Sequence, residues 1–157
     1  MSSNGFQTNI WGPPLWLVAH TVSFNYPLHP TLTQKKQYLD YFKSLGHVLP
    51  CGICRSNYET MIRDGKLKLT IDTFKNRETL SRYVYDLHNC VNTRLGKKCT
   101  PSFACVKKRY ETMRASHCSG TGNEKGCTKP LNGNKKRTII RILDTDKCKG
   151  KRPLAFS

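Results

Sequence analysis

The residues with the most chemistry to offer stand together in Leu49-Pro50-Cys51-Gly52-Ile53-Cys54-Arg55. Two cysteines at this spacing can close a small disulfide across the first turn of a helix. Pro50 puts Cys51 at the head of that helix, where amide N–H groups and the positive end of the helix dipole favour a thiolate. Arg55 adds a positive charge close by. Three chemistries fit the pair alone: a redox centre, half of a zinc site, and a structural staple. Zinc held by four thiolates wants a second close pair, and no other spacing among the eight cysteines supplies one. A second group is Trp16 with His20, which share one face of a helix. This face suits either a core indole with its hydrogen-bonded neighbour or a flat ligand. A third is His88, Asn89 and Asn92, which intrude beside the apolar residues Leu87, Val91 and Leu95. Burying such groups without partners costs about 1–3 kcal/mol each. Water, a backbone carbonyl, or a cofactor with ring nitrogens and hydroxyls has to meet them.

Helices are the elements that must hold these groups. The first is expected from Gly12-Pro13-Pro14 to Phe24, with the prolines in its opening turn. Leu15, Trp16, Ala19, His20, Ser23 and Phe24 follow three-and-four spacing along it. The second is expected from an N-cap at Thr33 to Val48, burying Tyr38, Tyr41, Phe42 and Leu45. The third carries the cysteine pair and runs through Tyr58 to Asp64-Gly65; residues 66–75 read as a loop or a single turn. The fourth spans Arg77–Leu95 with Gly96 to stop it. The fifth runs from Phe103 to Ser116, and Thr138–Leu143 is the only β-like run.

The chain of 157 residues suits one domain of ordinary size with room for a tail. The net charge is +17, and it is uneven: residues 1–96 carry 11 Lys/Arg against 6 Asp/Glu, residues 97–157 carry 16 against 4. That field attracts nucleic acid, anionic lipid or acidic proteins. The basic half lacks the basic-aromatic interleaving of a nucleic-acid surface, so a solvated tail is the first expectation. There is no run of eighteen apolar residues to span a membrane, and the start lacks the basic and apolar parts of a secretory signal. Eight cysteines without such a signal imply either thiol chemistry in a reducing compartment or an oxidising one reached by another route.

Trp11-Gly12-Pro13-Pro14-Leu15-Trp16, His20, Tyr26-Pro27, Pro50-Cys51-Gly52-Ile53-Cys54 and His88-Asn89-Cys90-Val91-Asn92-Thr93-Arg94-Leu95-Gly96-Lys97 together resemble the Erv/ALR flavin-linked sulfhydryl oxidases. The order and spacing match across roughly residues 10–116, most like the branch in large DNA viruses. The resemblance implies an all-α fold, a four-helix bundle with a short fifth helix holding FAD, usually as a homodimer. Residues 1–117 would form that domain, and 118–157 a basic, cysteine-containing tail with at most a short strand. Cys51 would exchange with the incoming dithiol and Cys54 would lie beside the flavin. Gly12, Trp16, His20 and Tyr26 would wall one side of FAD; His88, Asn89, Asn92, Leu95 and Lys97 would hold the ring and the adenosine part, and no metal is implied. Electrons would pass from protein thiols through the pair to FAD and then to O2, giving hydrogen peroxide. Tyr110 stands where relatives outside the viral branch often have tryptophan. The resemblance also implies that a structural disulfide of cellular members is absent, since no cysteine lies between Cys54 and Cys90. Cys99, Cys105, Cys118, Cys127 and Cys148 are open to a shuttle role, with a Cys118–Cys127 disulfide the plainer alternative; Cys90 reads as a small buried side chain. Host cytoplasm or virion is the expected location. The competing function is a basic nucleic-acid- or virion-binding module whose cysteine pair is only structural.

Overall fold

In the computed structural model of the chain, which describes residues 5–116 and 129–130, α1 (Thr8–Phe24) packs on α4 (Arg77–Arg94), and α2 (Leu32–Val48) packs on α3 (Gly52–Arg63). A single 3-10 turn at Ile71–Phe74 lies between α2 and α4 and joins the two pairs; another, Gly65–Leu67, follows α3. The short α5 (Phe103–Glu111) rests on α1 and α4. Beyond it, β1 (Ala115–Ser116) pairs antiparallel with β2 (Lys129–Pro130). This is the all-α four-helix arrangement with a short fifth helix that the sequence led us to expect. Cys118, Cys127, Cys148 and the β-like run at 138–143 lie outside the described residues.

The core is aromatic and aliphatic: Tyr26, Phe42, Phe74, Leu80 and Val84 are fully buried. Its tyrosines also pin distant backbone. Tyr26 donates to the Phe74 carbonyl at 2.9 Å, Tyr58 to Phe42 at 2.8 Å and Tyr83 to Leu67 at 2.9 Å. These three hydroxyls thus have partners, as burial requires. No helix among the described residues is long and apolar enough to cross a membrane.

Three helix ends differ from expectation. Helix α1 starts at Thr8, before the prolines, because the Ile10 N–H closes a tight turn onto the Gln7 carbonyl at 3.0 Å. Pro13 and Pro14 therefore sit inside the helix. The N-cap of α2 is Thr31, not Thr33. A reciprocal cap needs an acceptor three residues on, and Gln34 supplies one: it accepts from Thr31 N–H at 2.9 Å while Thr31 accepts from Gln34 N–H at 3.2 Å. Lys36, three after Thr33, has no acceptor to offer. Helix α5 stops at Glu111 because Arg114 turns back, donating to the Phe24 carbonyl at 2.6 Å and pairing with Glu111. The end of α4 is as expected, with Gly96 at φ +71° just past Leu95.

Candidate active site

Cys51 is the N-cap of α3, and it is joined to Cys54 in a disulfide with Cα atoms 5.1 Å apart. The Cys54 N–H points at Cys51 Sγ from 3.3 Å. That donor and the first turn of α3 stabilise negative charge on the Cys51 sulfur when the bond opens. The turn before the pair is firmly held. The Leu49 carbonyl accepts from Cys51 N–H at 2.8 Å and from Arg55 Nη1 at 2.7 Å. Both cysteines are half-buried, and Cys54 packs against the main core. Gly5 pairs with Cys51 as an isolated antiparallel bridge, and Phe6 N–H donates to the Pro50 carbonyl at 2.9 Å. The disulfide takes both sulfurs out of the thiolate form a zinc site needs.

Against the same core stands Trp16, the start of a row of rings contributed by three helices. Trp16 of α1 stacks on His88 of α4, centroids 4.1 Å apart and planes within 5°. His88 Nδ1 lies 3.0 Å from His20 Nε2. His20 stacks on Tyr110 of α5 at 5.2 Å, and Tyr110 on Phe24 at 5.0 Å. His20 is buried, and burial with the nearby Arg109 lowers its pKa to about 4, so it is neutral at pH 7. A neutral imidazole offers one donor and one acceptor. His20 Nδ1 is buried with no hydrogen-bond partner, a group that calls for a ligand.

The other expected residues of α4 lie around its C-terminal end. Asn92 is buried, and its carbonyl accepts from Lys97 N–H at 3.0 Å. Asn89 and Lys97 are half-buried, and burial lowers the Lys97 pKa. Leu95 is 64% exposed, and the space on the Cβ side of Gly12 is open. Stacking rings, an orphaned buried nitrogen, an exposed apolar residue and an open glycine fit a flat cofactor with hydrogen-bonding edges, as FAD is.

Tyr26 is the exception. It lies in the main core between Tyr38 and Phe74 rather than on the ring row. The chain leaves α1 after Phe24, so Tyr26 falls off the face that carries Trp16 and His20. Phe24 and Tyr110 take places that were not assigned from the sequence. Phe24 continues the four-residue step Trp16–His20, a signal that was there to use. A cleft of about 250 Å³ opens at this end of the row, between Thr21, Phe24, Tyr110 and Arg114; a larger one, about 410 Å³, lies away from it beside His29, Arg77 and Lys107.

The profile of the Erv1 / Alr family matches residues 13–111. A probable FAD-linked sulfhydryl oxidase of Acanthamoeba polyphaga mimivirus is 41% identical over 88 residues, 56% of this chain and 60% of that protein. The mitochondrial FAD-linked sulfhydryl oxidase of Saccharomyces cerevisiae is 32% identical over 94 residues, 60% of this chain and 46% of that one. The chain thus spans about half to three-fifths of the length of these two curated relatives. The crystal structure of the FAD-binding domain of Erv1 from the same yeast superposes with a TM-score of 0.59 at 28% identity, covering 67% of this chain and 94% of that one.

Proposed function

The chain belongs to the Erv1 / Alr family, and from that premise we propose that it is a FAD-linked oxidase that joins protein thiols into disulfides, 2 R–SH + O2 giving R–S–S–R + H2O2. The observation that carries this reading is the Cys51–Cys54 disulfide on the N-terminus of α3, whose Cys54 packs on the same core as Trp16, the first ring of a row in which His20 Nδ1 is unpartnered.

A substrate thiolate attacks Cys51 Sγ; a mixed disulfide forms, and Cys54 leaves as a thiolate. A second substrate thiolate attacks the substrate sulfur of that bond, releasing Cys51 as a thiolate and the substrate as a disulfide. The Cys54 N–H at 3.3 Å from Cys51 Sγ and the helix end hold the negative charge in this second step, making Cys51 the better leaving group. Cys54, the pair member that packs on the main core, is then the one placed to hand on the two electrons. FAD, when bound, supplies the two-electron acceptor and the route to O2. Trp16, His20, Phe24, His88 and Tyr110 would stack against it, and Gly12, Asn89, Asn92, Leu95 and Lys97 would border it. Neutral His20 contributes a hydrogen bond without adding charge.

Residues 1–117 form the oxidase unit in this reading, and 118–157 a basic tail. The substrates are protein thiols, the assembly is a homodimer, and the viral relatives support a host-cytoplasm or virion location. The test is oxygen consumption by the purified full-length chain with dithiothreitol, with peroxide measured in parallel. One O2 consumed per disulfide formed is expected; a flavin-free, correctly folded protein inert to dithiols would refute the reading.

A further inference from the structure

The strand at Gly5–Phe6 is joined to the redox turn by a fit that only glycine allows. A Cβ at Gly5 would stand 2.2 Å from the Pro50 oxygen and 2.9 Å from Cys51 Cα. The strand is held lightly. Phe6 N–H donates to Pro50 at 2.9 Å, and Trp11 Nε1 donates to the Phe6 carbonyl at 3.0 Å. The Phe6 side chain itself is 77% exposed. Val48 at the end of α2 and Ile53 between the two cysteines are exposed apolar residues next to the pair in the chain, and Ile10 at the start of α1 is exposed as well. The Pro50–Cys51 edge thus accepts an extended backbone with glycine at the point of closest approach, and exposed Val48 and Ile53 are its apolar neighbours in the chain.

We propose that Pro50–Cys51 is the docking edge for an extended, unfolded segment of the substrate polypeptide that carries glycine at the place of Gly5, and that Gly5–Phe6 occupies this edge until substrate displaces it. The proposal rests on the thiol-oxidase reading for the identity of the occupant. Pairing of this kind orients a peptide by its backbone and leaves its side chains to nearby apolar contacts. Thiols carried on extended chain are then favoured over thiols in folded domains. Displacing the strand costs the substrate roughly one net hydrogen bond, a factor of about five in affinity.

The test uses Phe6→Pro, which has no N–H to give, Gly5→Val, which cannot make the close approach, and Trp11→Phe, which removes the indole donor alone. A fluorescent peptide with the sequence of residues 3–9 is titrated against each full-length protein by anisotropy. Phe6→Pro and Gly5→Val should bind it about fivefold more tightly than the parent, Trp11→Phe by less. The same peptide with valine in place of its glycine should bind none of them. In turnover, KM for a reduced, unfolded polypeptide with glycine beside its cysteines should fall about fivefold in Phe6→Pro, with kcat and the dithiothreitol kinetics unchanged. Equal peptide affinity in parent and variants, or an unchanged KM for that polypeptide, overturns the proposal. The peptide result needs no flavin and no turnover. If peptide binding behaves as expected while the parent fails to oxidise thiols, the docking edge stands and the oxidase reading falls.

Discussion

Acidification will act on this fold through His20, and the size of the effect follows from where the ring sits. His20 is 2% exposed, and its pKa is lowered from 6.5 to about 4, mainly by burial and then by Arg109. In the unfolded chain the same imidazole takes a proton near its ordinary value. Between these two pH values the unfolded state binds more protons, so stability falls as pH falls. The contribution is fully present above pH 6.5 and is lost as the pH drops to about 4. A gap of about 2.5 pH units at 1.36 kcal/mol each gives about 3 kcal/mol. Urea unfolding at intervals from pH 7.5 to 4 measures it. His20→Phe keeps a ring against Tyr110 and removes the proton site, while the carboxylates that also titrate here are common to both proteins. The variant will start from lower stability, having lost the bond to His88, but its stability should fall less steeply by about 1.4 kcal/mol per pH unit in the middle of the window. Parallel curves for the two proteins would refute the claim that a buried, neutral His20 sits in the ring row.

Tyr58→Phe removes the hydroxyl that pins α3 to the Phe42 carbonyl at the end of a 2.8 Å bond. It should cost about 1–3 kcal/mol in urea unfolding with no change in the m-value. Leu80→Ala opens a hole at a fully buried site and should cost about 2–5 kcal/mol by the same measurement. Cys51→Ser and Cys54→Ser should each abolish dithiothreitol-driven oxygen consumption while leaving the flavin absorbance of the purified protein in place.

The helices were legible because each buries a stripe at three-and-four spacing, a property of local sequence. Leu80, Val84 and Leu87 all lie in the core where that spacing puts them. The cysteine pair was legible for the same reason, since its cap is built within a single turn. What escaped reading depends on partners far along the chain. Helix α5 ends early because Arg114 reaches the carbonyl of Phe24 on α1. Tyr26 was assigned to the cofactor wall through the family resemblance, and its ring packs with Tyr38 and Phe74 on other elements, which local sequence does not show. Tyr110 joins the ring row only because α5 folds back onto α1. Gly5 looked like an ordinary residue near the start, and its meaning comes entirely from Pro50 and Cys51. Thr31 against Thr33 is a different kind of miss, because the acceptor at Gln34 was there in the sequence to decide it.

In the proposed reaction, electrons pass from the Cys51–Cys54 pair to a bound flavin. Anaerobic titration of the purified protein with dithiothreitol, followed in the visible spectrum, measures that passage. A yellow protein should bleach with one dithiol per flavin and recover its colour on admission of air, while Cys54→Ser stays yellow at the same dithiol concentration. A folded protein without colour, or a Cys54→Ser variant that bleaches as fast as the parent, would contradict it.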